Sequence, residues 1–298
     1  MLLVIARRSM VEGGHGMKIS IITPTWNRAT QLERMLASVE ALVPHPHEHI
    51  IVDNLSTDAT AAVVAGYSIR TPYPVIHKCE ADDGIYDAMN HGAKLATGDL
   101  LYFLNDDDRL TGAGSLSVLA STLTRCREDF AFGDVIVVDR TRGTARRRFH
   151  RQVNQLTLAE KSICQQATLY TRKALDVVGR FDPTLRAAAD YDWVLRAFFQ
   201  HSLRGAYLRF PVAEFALGGI SSSPDHREAF EAEMQAVRHR YFDAADLDRA
   251  RRYRRFWRKL PWGLQLTPGG GTGPAVRLAS RIPLGSVIVP NPLAWIGF

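Results

Sequence analysis

The stretch Gly98-Asp-Leu-Leu-Tyr-Phe-Leu-Asn-Asp-Asp-Asp108 joins a short apolar run to three consecutive carboxylates. Leu100 to Leu104 is branched and aromatic, the composition of a strand buried on both faces of a parallel sheet. The acids fall at its C-terminal end. That edge is where ligands bind in open α/β sheets, because the strands stop and the loops part into a crevice. Neighbouring carboxylates repel one another unless a cation or solvent takes up the charge, and they are the hard oxygen ligands that Mg2+ and Mn2+ select. For this loop alone, a solvated acidic turn is the plainer alternative.

Upstream, the chain reads as repeated strand, turn and helix. Ile19 to Thr23 is a buried strand that Pro24 is expected to end, and Leu32, Met35, Leu36, Val39 and Leu42 recur at helical spacing between Ala29 and Val43. Asp53 stands just beyond a second strand, and Thr57 or Asp58 is placed to cap a helix running through Gly66. A third strand, Val75 to Lys78, leads to Asp82-Asp-Gly-Ile-Tyr-Asp-Ala-Met-Asn-His-Gly92, where Ile85, Met89, Ala93 and Leu95 fall on one helical face and Gly98 is expected to stop the helix. Asp53, Asp82 and Asp83 all have simple structural alternatives as turn or cap residues. The succession predicts a mostly parallel sheet with helices on both faces.

The chain has 298 residues, 46% of them hydrophobic, enough for one large α/β core and a C-terminal extension. No apolar run reaches the ~18–20 residues that a membrane-spanning helix needs. The N-terminal run Met1 to Ala6 precedes its arginines and lacks a small-residue cleavage site, so it does not read as a secretory signal, and Met17 is an alternative start. Cys79, Cys126 and Cys164 are scattered, which gives neither a disulfide framework nor metal-ligand spacing and points to a reducing, cytoplasmic setting. The net charge of +6 is concentrated in Arg142–Arg151 and Arg249–Lys259, which suggests a local anionic partner.

Four motifs in order, Thr23-Pro-Thr-Trp-Asn-Arg28, Val52-Asp-Asn-Leu-Ser-Thr-Asp58, Asp82 to Gly92 and Gly98 to Asp108, resemble family 2 glycosyltransferases. The likeness is strongest to the bacterial surface-polysaccharide subgroup that includes the colanic acid transferases, and it extends from about Lys18 to about Ser221. It implies the GT-A fold, a single Rossmann-like nucleotide-sugar transferase domain. By the same resemblance Asp53 would contact the base of a UDP-linked donor, Thr23, Pro24 and Arg28 would line the nucleotide pocket, and Asp82 would approach base and ribose. The family's Asp-x-Asp metal motif here reads Asn105-Asp106-Asp107, so the divalent cation falls to Asp107 with Asp108 in support, and Asp106 is left on the donor side.

The second half carries fainter matches. Phe130 to Val138 reads as another strand, followed by a basic hairpin or loop at Arg142–Arg151. Ile163-Cys-Gln-Gln166 resembles the subgroup's His-Gln segment with Gln165 in place of His, which would put Gln166 near the donor sugar or acceptor. Ala187-Ala-Ala-Asp-Tyr-Asp192 resembles its Glu-Asp segment with Ala189 in place of Glu. Asp190 then matches the catalytic base of an inverting enzyme, which takes the acceptor's proton as the new bond forms; Asp192 is the reserve. Gly218-Gly-Ile-Ser221 resembles a loop in which Gly219 and Ser221 close over the diphosphate, although a plain turn fits equally well.

Residues 1–16 are thus expected to be an extension, 17–225 the transferase domain, and 226–298 a helical, basic-aromatic extension. In the last, Tyr253, Phe256, Trp257 and Trp262 interleave with arginines as in a segment that contacts anionic headgroups from the inner face of the plasma membrane. The expected partners are a nucleotide-sugar donor and a glycan or lipid-linked acceptor, not nucleic acid. Two other readings stay open on sequence: a nucleotidyltransferase, which normally carries a glycine-rich phosphate loop that Thr23–Arg28 is not, and a basic binding module built on a degenerate transferase domain.

Overall fold

A computed structural model describes residues 2–5, 17–148, 153–217 and 227–259. Leu2–Ile5, within the stretch expected to be an extension, forms a strand, β1, at the edge of the sheet, and the first half then runs as βα units: β2 (Ile19–Thr25), α1 (Ala29–Glu40), β3 (Glu48–Asp53), α2 (Thr60–Arg70), β4 (Val75–Cys79) and α3 (Ile85–Leu95), ending in β5 (Leu100–Phe103). The second half adds β6 (Arg109–Leu110), α4 (Ser115–Cys126), β7 (Phe130–Asp139), β8 (Thr144–Arg148), α5 (Gln155–Leu158), β9 (Thr168–Thr171), α6 (Arg172–Val178), α7 (Ala189–Leu195), β10 (Gly205–Ala216), α8 (Arg227–His239) and α9 (Ala244–Lys259).

These strands form one sheet in the order β1-β4-β3-β2-β5-β9-β7-β10-β6, with β8 paired to β7. The strands β4, β3, β2 and β5 run parallel, and β9 enters antiparallel between β5 and β7. Strand order reverses between β2, which leads outward to β3, and β5, which lies on its other side. Such a switch point opens a crevice at the C-terminal strand ends. The fold is the mixed α/β, GT-A type expected.

Alternation at a period of two divides the core. Ile21, Ile51, Leu100 and Tyr102 face α1, α2 and α4, whereas Ile22, Ile50, Val52, Leu101 and Phe103 face α3, α6 and α7. On the second side Trp193 is fully buried at 4.8 Å edge-to-face from Tyr170, and its indole N–H donates to Gly179 O. Val237, Phe242 and Ala250 join this same cluster, so α8 and α9 pack on the sheet's helical layer.

Three expectations about boundaries are corrected. Pro24 does not end its strand: β2 continues to Thr25, opposite Asp53. Ile22 O accepts from Leu104 N on the β5 side, and Pro24, two residues on, directs its missing N–H to that same side, where β5 has already ended, so no ladder bond is lost. Nor does Gly98 stop α3. The chain is already extended at Ala96, and Gly98 is required for close approach, since a Cβ there would lie 2.7 Å from Lys18 O and 2.8 Å from Ser20 N. Helix α2 runs past Gly66 to Arg70, anchored by the fully buried Tyr67. Asp58 serves two helices: one carboxylate oxygen accepts from Ala29 N at the start of α1, the other from Thr60 N at the start of α2.

Candidate active site

The loops after β2, β3, β4 and β5 gather at the crevice, where a cavity of about 1160 Å³ opens. Pro24, Thr25, Trp26 and Arg28 line it from β2, Asn54 from β3, Asp82 from the β4–α3 loop, and Asn105, Asp106 and Asp107 from β5. Asp190, at the N-terminus of α7, lines the same cavity, as do Gln165 and Gln166.

The three acids have different surroundings. Asp107 is the most exposed, and its Oδ2 accepts from Arg28 at 3.0 Å. Asp106 is buried and accepts from Thr25 Oγ1 at 2.9 Å. Burial pushes its carboxyl up to about 6, with Arg28 and Thr25 pulling the other way. Asp108 turns inward: its Oδ1 accepts from Ala216 N at 3.0 Å, and burial followed by the charge of Asp107 holds it well above the usual carboxylate range. Its Oδ2, beside the Gln166 side chain, and Asn105 Oδ1 are buried oxygens without a hydrogen-bond partner among the described residues. Among those residues, no three His, Cys, Asp or Glu side chains converge on one point. Unsatisfied hard oxygens beside one accessible carboxylate do fit a divalent cation whose remaining ligands are water and substrate phosphate.

Of the residues expected at the nucleotide, Pro24, Arg28 and Asp82 reach the cavity and Thr23 does not. Thr23 lies two positions below the true strand end, fully buried, with its Oγ1 3.0 Å from His49 Nε2; Thr25 takes the place at the edge. Asp53 is also buried, held by Ser56 N at 2.9 Å and His77 Nε2 at 3.2 Å, and it is not among the cavity-lining residues. Burial raises its carboxyl, but the hydrogen bonds from His77 and Ser56 outweigh this and leave it below its ordinary value. Asp82 accepts from Gly84 N at 2.9 Å, and burial raises it. Gly84 sits at φ +126°, a conformation in which a side chain would be strained.

Asp190 accepts from Tyr191 N at 2.8 Å and Tyr86 Oη at 3.2 Å, and burial raises it to about 6. Asp192 points into a different layer, bound by Arg196 at 2.8 Å and Arg240 at 3.4 Å, and does not reach the cavity. Gln166 Oε1 accepts from the Cys164 thiol, and Gln165 Nε2 donates to Phe103 O, so the Gln165 amide braces the end of β5. Gly219 and Ser221 lie outside the described residues, as does Trp262.

Sequence reasoning did not place several residues at this cavity, although Arg148 and Arg254 fall in the two stretches read as facing an anion. Trp26 is 61% exposed at its mouth, and an aromatic just past a strand end is the signal that could have flagged it. Arg148, Arg186, Arg238 and Arg254 come from β8, the loop before α7, α8 and α9. Only the tertiary fold brings these four to one cavity.

Residues 20–179 match the family described as Glycosyl transferase family 2. The PGL/p-HBAD biosynthesis glycosyltransferase of Mycobacterium bovis BCG is 33% identical over 206 residues, which cover 68% of this chain and 79% of that protein. Two solved structures share the fold. Staphylococcus aureus TarS residues 1–349 in complex with UDP-GlcNAc superpose with a TM-score of 0.61 at 21% identity, covering 84% of this chain and 78% of that one. The mannosyltransferase PcManGT from Pyrobaculum calidifontis, in complex with GDP-Man and Mn2+, gives a TM-score of 0.63 at 19% identity over 89% and 79%.

Proposed function

The chain belongs to glycosyl transferase family 2 and is a glycosyltransferase of glycan biosynthesis; from that premise we propose that it moves a sugar, with inversion, from a UDP-linked donor to a hydroxyl of a glycan or lipid-linked acceptor. The observation that carries this reading is one cavity at the β2/β5 switch point lined both by Asp107, with Arg28 on it, and by Asp190. The acid cluster supplies charge control for a leaving nucleoside diphosphate. The buried carboxylate at the start of α7 supplies a base.

In this mechanism Asp190 takes the proton of the acceptor hydroxyl as its oxygen attacks the anomeric carbon, and the carbon–phosphate oxygen bond breaks on the opposite side. The elevated affinity of Asp190 for a proton suits it to the task near neutrality. Arg28 is placed to meet negative charge on the departing diphosphate. A divalent cation, Mg2+ or Mn2+, held by Asp107 with Asp108 behind it, would neutralise the same charge when bound. The UDP-GlcNAc and the GDP-Man and Mn2+ complexes of the two structural neighbours support a nucleotide-sugar donor and a cation here.

We assign α9 a peripheral contact with anionic membrane. Arg251 and Arg255 are exposed on it, while Leu247 and Ala250 face the core. No described helix is long and apolar enough to cross a membrane.

The test is release of nucleoside diphosphate from a panel of nucleotide sugars with Mn2+ or Mg2+, with and without EDTA, for the native chain, Asp107→Ala and Asp190→Ala. Metal-dependent release lost in Asp107→Ala supports the assignment, and no release from any donor overturns it. Co-sedimentation with phosphatidylglycerol vesicles, but not with phosphatidylcholine vesicles, tests the contact at α9.

A further inference from the structure

Asp190 is not simply a carboxylate at a helix start. Both hydrogen bonds that it accepts, from Tyr191 N at 2.8 Å and Tyr86 Oη at 3.2 Å, fall on Oδ1, and Oδ2 accepts none among the described residues. Tyr86 reaches it from α3, a helix 104 positions away in sequence whose N-terminal loop carries Asp82. The ring of Tyr86 packs 5.7 Å from Phe181 in the core, and the residue also lines the cavity. A second bond ties the same two loops together, from Arg186 Nη1 to Asp83 O at 2.9 Å.

We propose that Tyr86 is a positioning residue for the base: by engaging Oδ1 together with the Tyr191 amide, it fixes the carboxylate plane and leaves Oδ2 as the oxygen that receives the acceptor's proton. This rests on the reading of Asp190 as that base. The physical need is orientational. A carboxylate turns easily about its terminal torsion, and a base that presents the wrong lone pair loses the advantage of being held near its substrate. A phenol donating to the charged form also stabilises that form, offsetting part of the burial that favours the proton.

Burial and the charge of Asp190 hold the Tyr86 phenol far above its ordinary value, so it stays a donor across the working range. The other groups facing this pair are Arg148 from β8, Cys164 before the 3-10 turn at Gln165–Ala167, Tyr170 from β9 and, toward Tyr86, Glu233 from α8. Cys164 is pushed up to about 12 and Tyr170 higher still, so neither changes charge where Asp190 does. Arg148 adds a fixed positive charge. Glu233 is engaged by the amides of Arg186 and Ala187, both at 2.6 Å.

The test is a carboxyl-carbon NMR titration of the full chain carrying 13C-labelled aspartate, with the Asp190 signal assigned by its loss in Asp190→Asn. Tyr86→Phe keeps the ring and removes the donor, and should raise the apparent pKa of Asp190 by about half a unit to one unit. Donor hydrolysis in the same variant should show kcat reduced several-fold with KM for the donor unchanged. A fluorotyrosine at position 86, a stronger donor of the same shape, should move the titration the opposite way and provides the answer if the phenylalanine variant folds poorly. An Asp190 signal that titrates identically in all forms overturns the proposal, as does a change confined to KM. Unchanged turnover in Asp190→Asn would overturn the reading of Asp190 as base. The titration needs no donor, so the two failures are told apart.

Discussion

Nη1 of Arg28 lies 3.0 Å from Asp107 Oδ2 and 3.6 Å from Asp106 Oδ1, so one guanidinium straddles two carboxylates of the loop after β5. Arg28 is 37% exposed, and solvent screening limits the pair to ~1 kcal/mol or less of stability. Its importance is therefore in the site. A cation approaching Asp107 meets Arg28 on the same oxygen, and the two must share or exchange it. Asp107→Ala should lower kcat/KM for donor hydrolysis by about 100- to 1000-fold and abolish its response to EDTA. Arg28→Met should instead tighten Mn2+ binding to the donor-free chain, measured by the loss of the free-ion EPR signal, while slowing turnover.

Asp190→Asn should cut turnover by about 100- to 10,000-fold with donor affinity retained. In the native chain, turnover should rise with pH as this carboxyl ionises near 6. The stability effect has the opposite sign. The folded chain keeps a proton that the unfolded chain releases between 3.8 and about 6, so stability falls as pH climbs through that window and is level above it. The amide cannot ionise, and Asp190→Asn should melt a few degrees higher than the native chain at pH 8 and about equally at pH 4.

Asp192, two residues on, should behave as a structural acid. It is 3% exposed and paired with Arg196 and the half-exposed Arg240, so Asp192→Asn leaves the largely buried Arg196 without its carboxylate. The expected cost is about 2–4 kcal/mol in urea unfolding, with turnover per folded molecule within twofold of native.

Gly98→Ala should destabilise by about 1–3 kcal/mol in the same assay. The added methyl would press on backbone at Lys18 and Ser20, which sit in the sheet and cannot move aside cheaply.

The βα units of the first half were legible because their two periods, 2.0 and 3.6, are local properties of the chain, and the acidic loops were legible because they follow those strands directly. One misread proline accounts for the error at Thr23. With Pro24 taken as the end of β2, Thr23 falls on the rim; once the strand runs to Thr25, Thr23 sinks into the core beside His49. The antiparallel entry of β9 between β5 and β7 could not be read, since the direction of Thr168–Thr171 is set by two neighbours distant in sequence. The arginines of the cavity were hidden for the same reason. Arg186 and Arg238 look like surface charges until α7 and α8 fold against the sheet, and although Arg148 and Arg254 fall in the two basic stretches that suggest an anionic partner, nothing local says that they share one cavity.

Asp58, shared by the first turns of α1 and α2, belongs to a larger seam. Asn27 N donates to Ser56 Oγ, Thr57 N to Asn27 Oδ1, and Asn54 N to Thr25 O, so the loops after β2 and β3 are stitched together over their whole length. The two loops are braced against each other, and a ligand that binds there would forfeit little of their conformational entropy. A surface of this kind recognises by shape already made. Exchanging a side chain on it, such as the exposed Trp26, would change what it accepts while leaving the bonds between the loops in place.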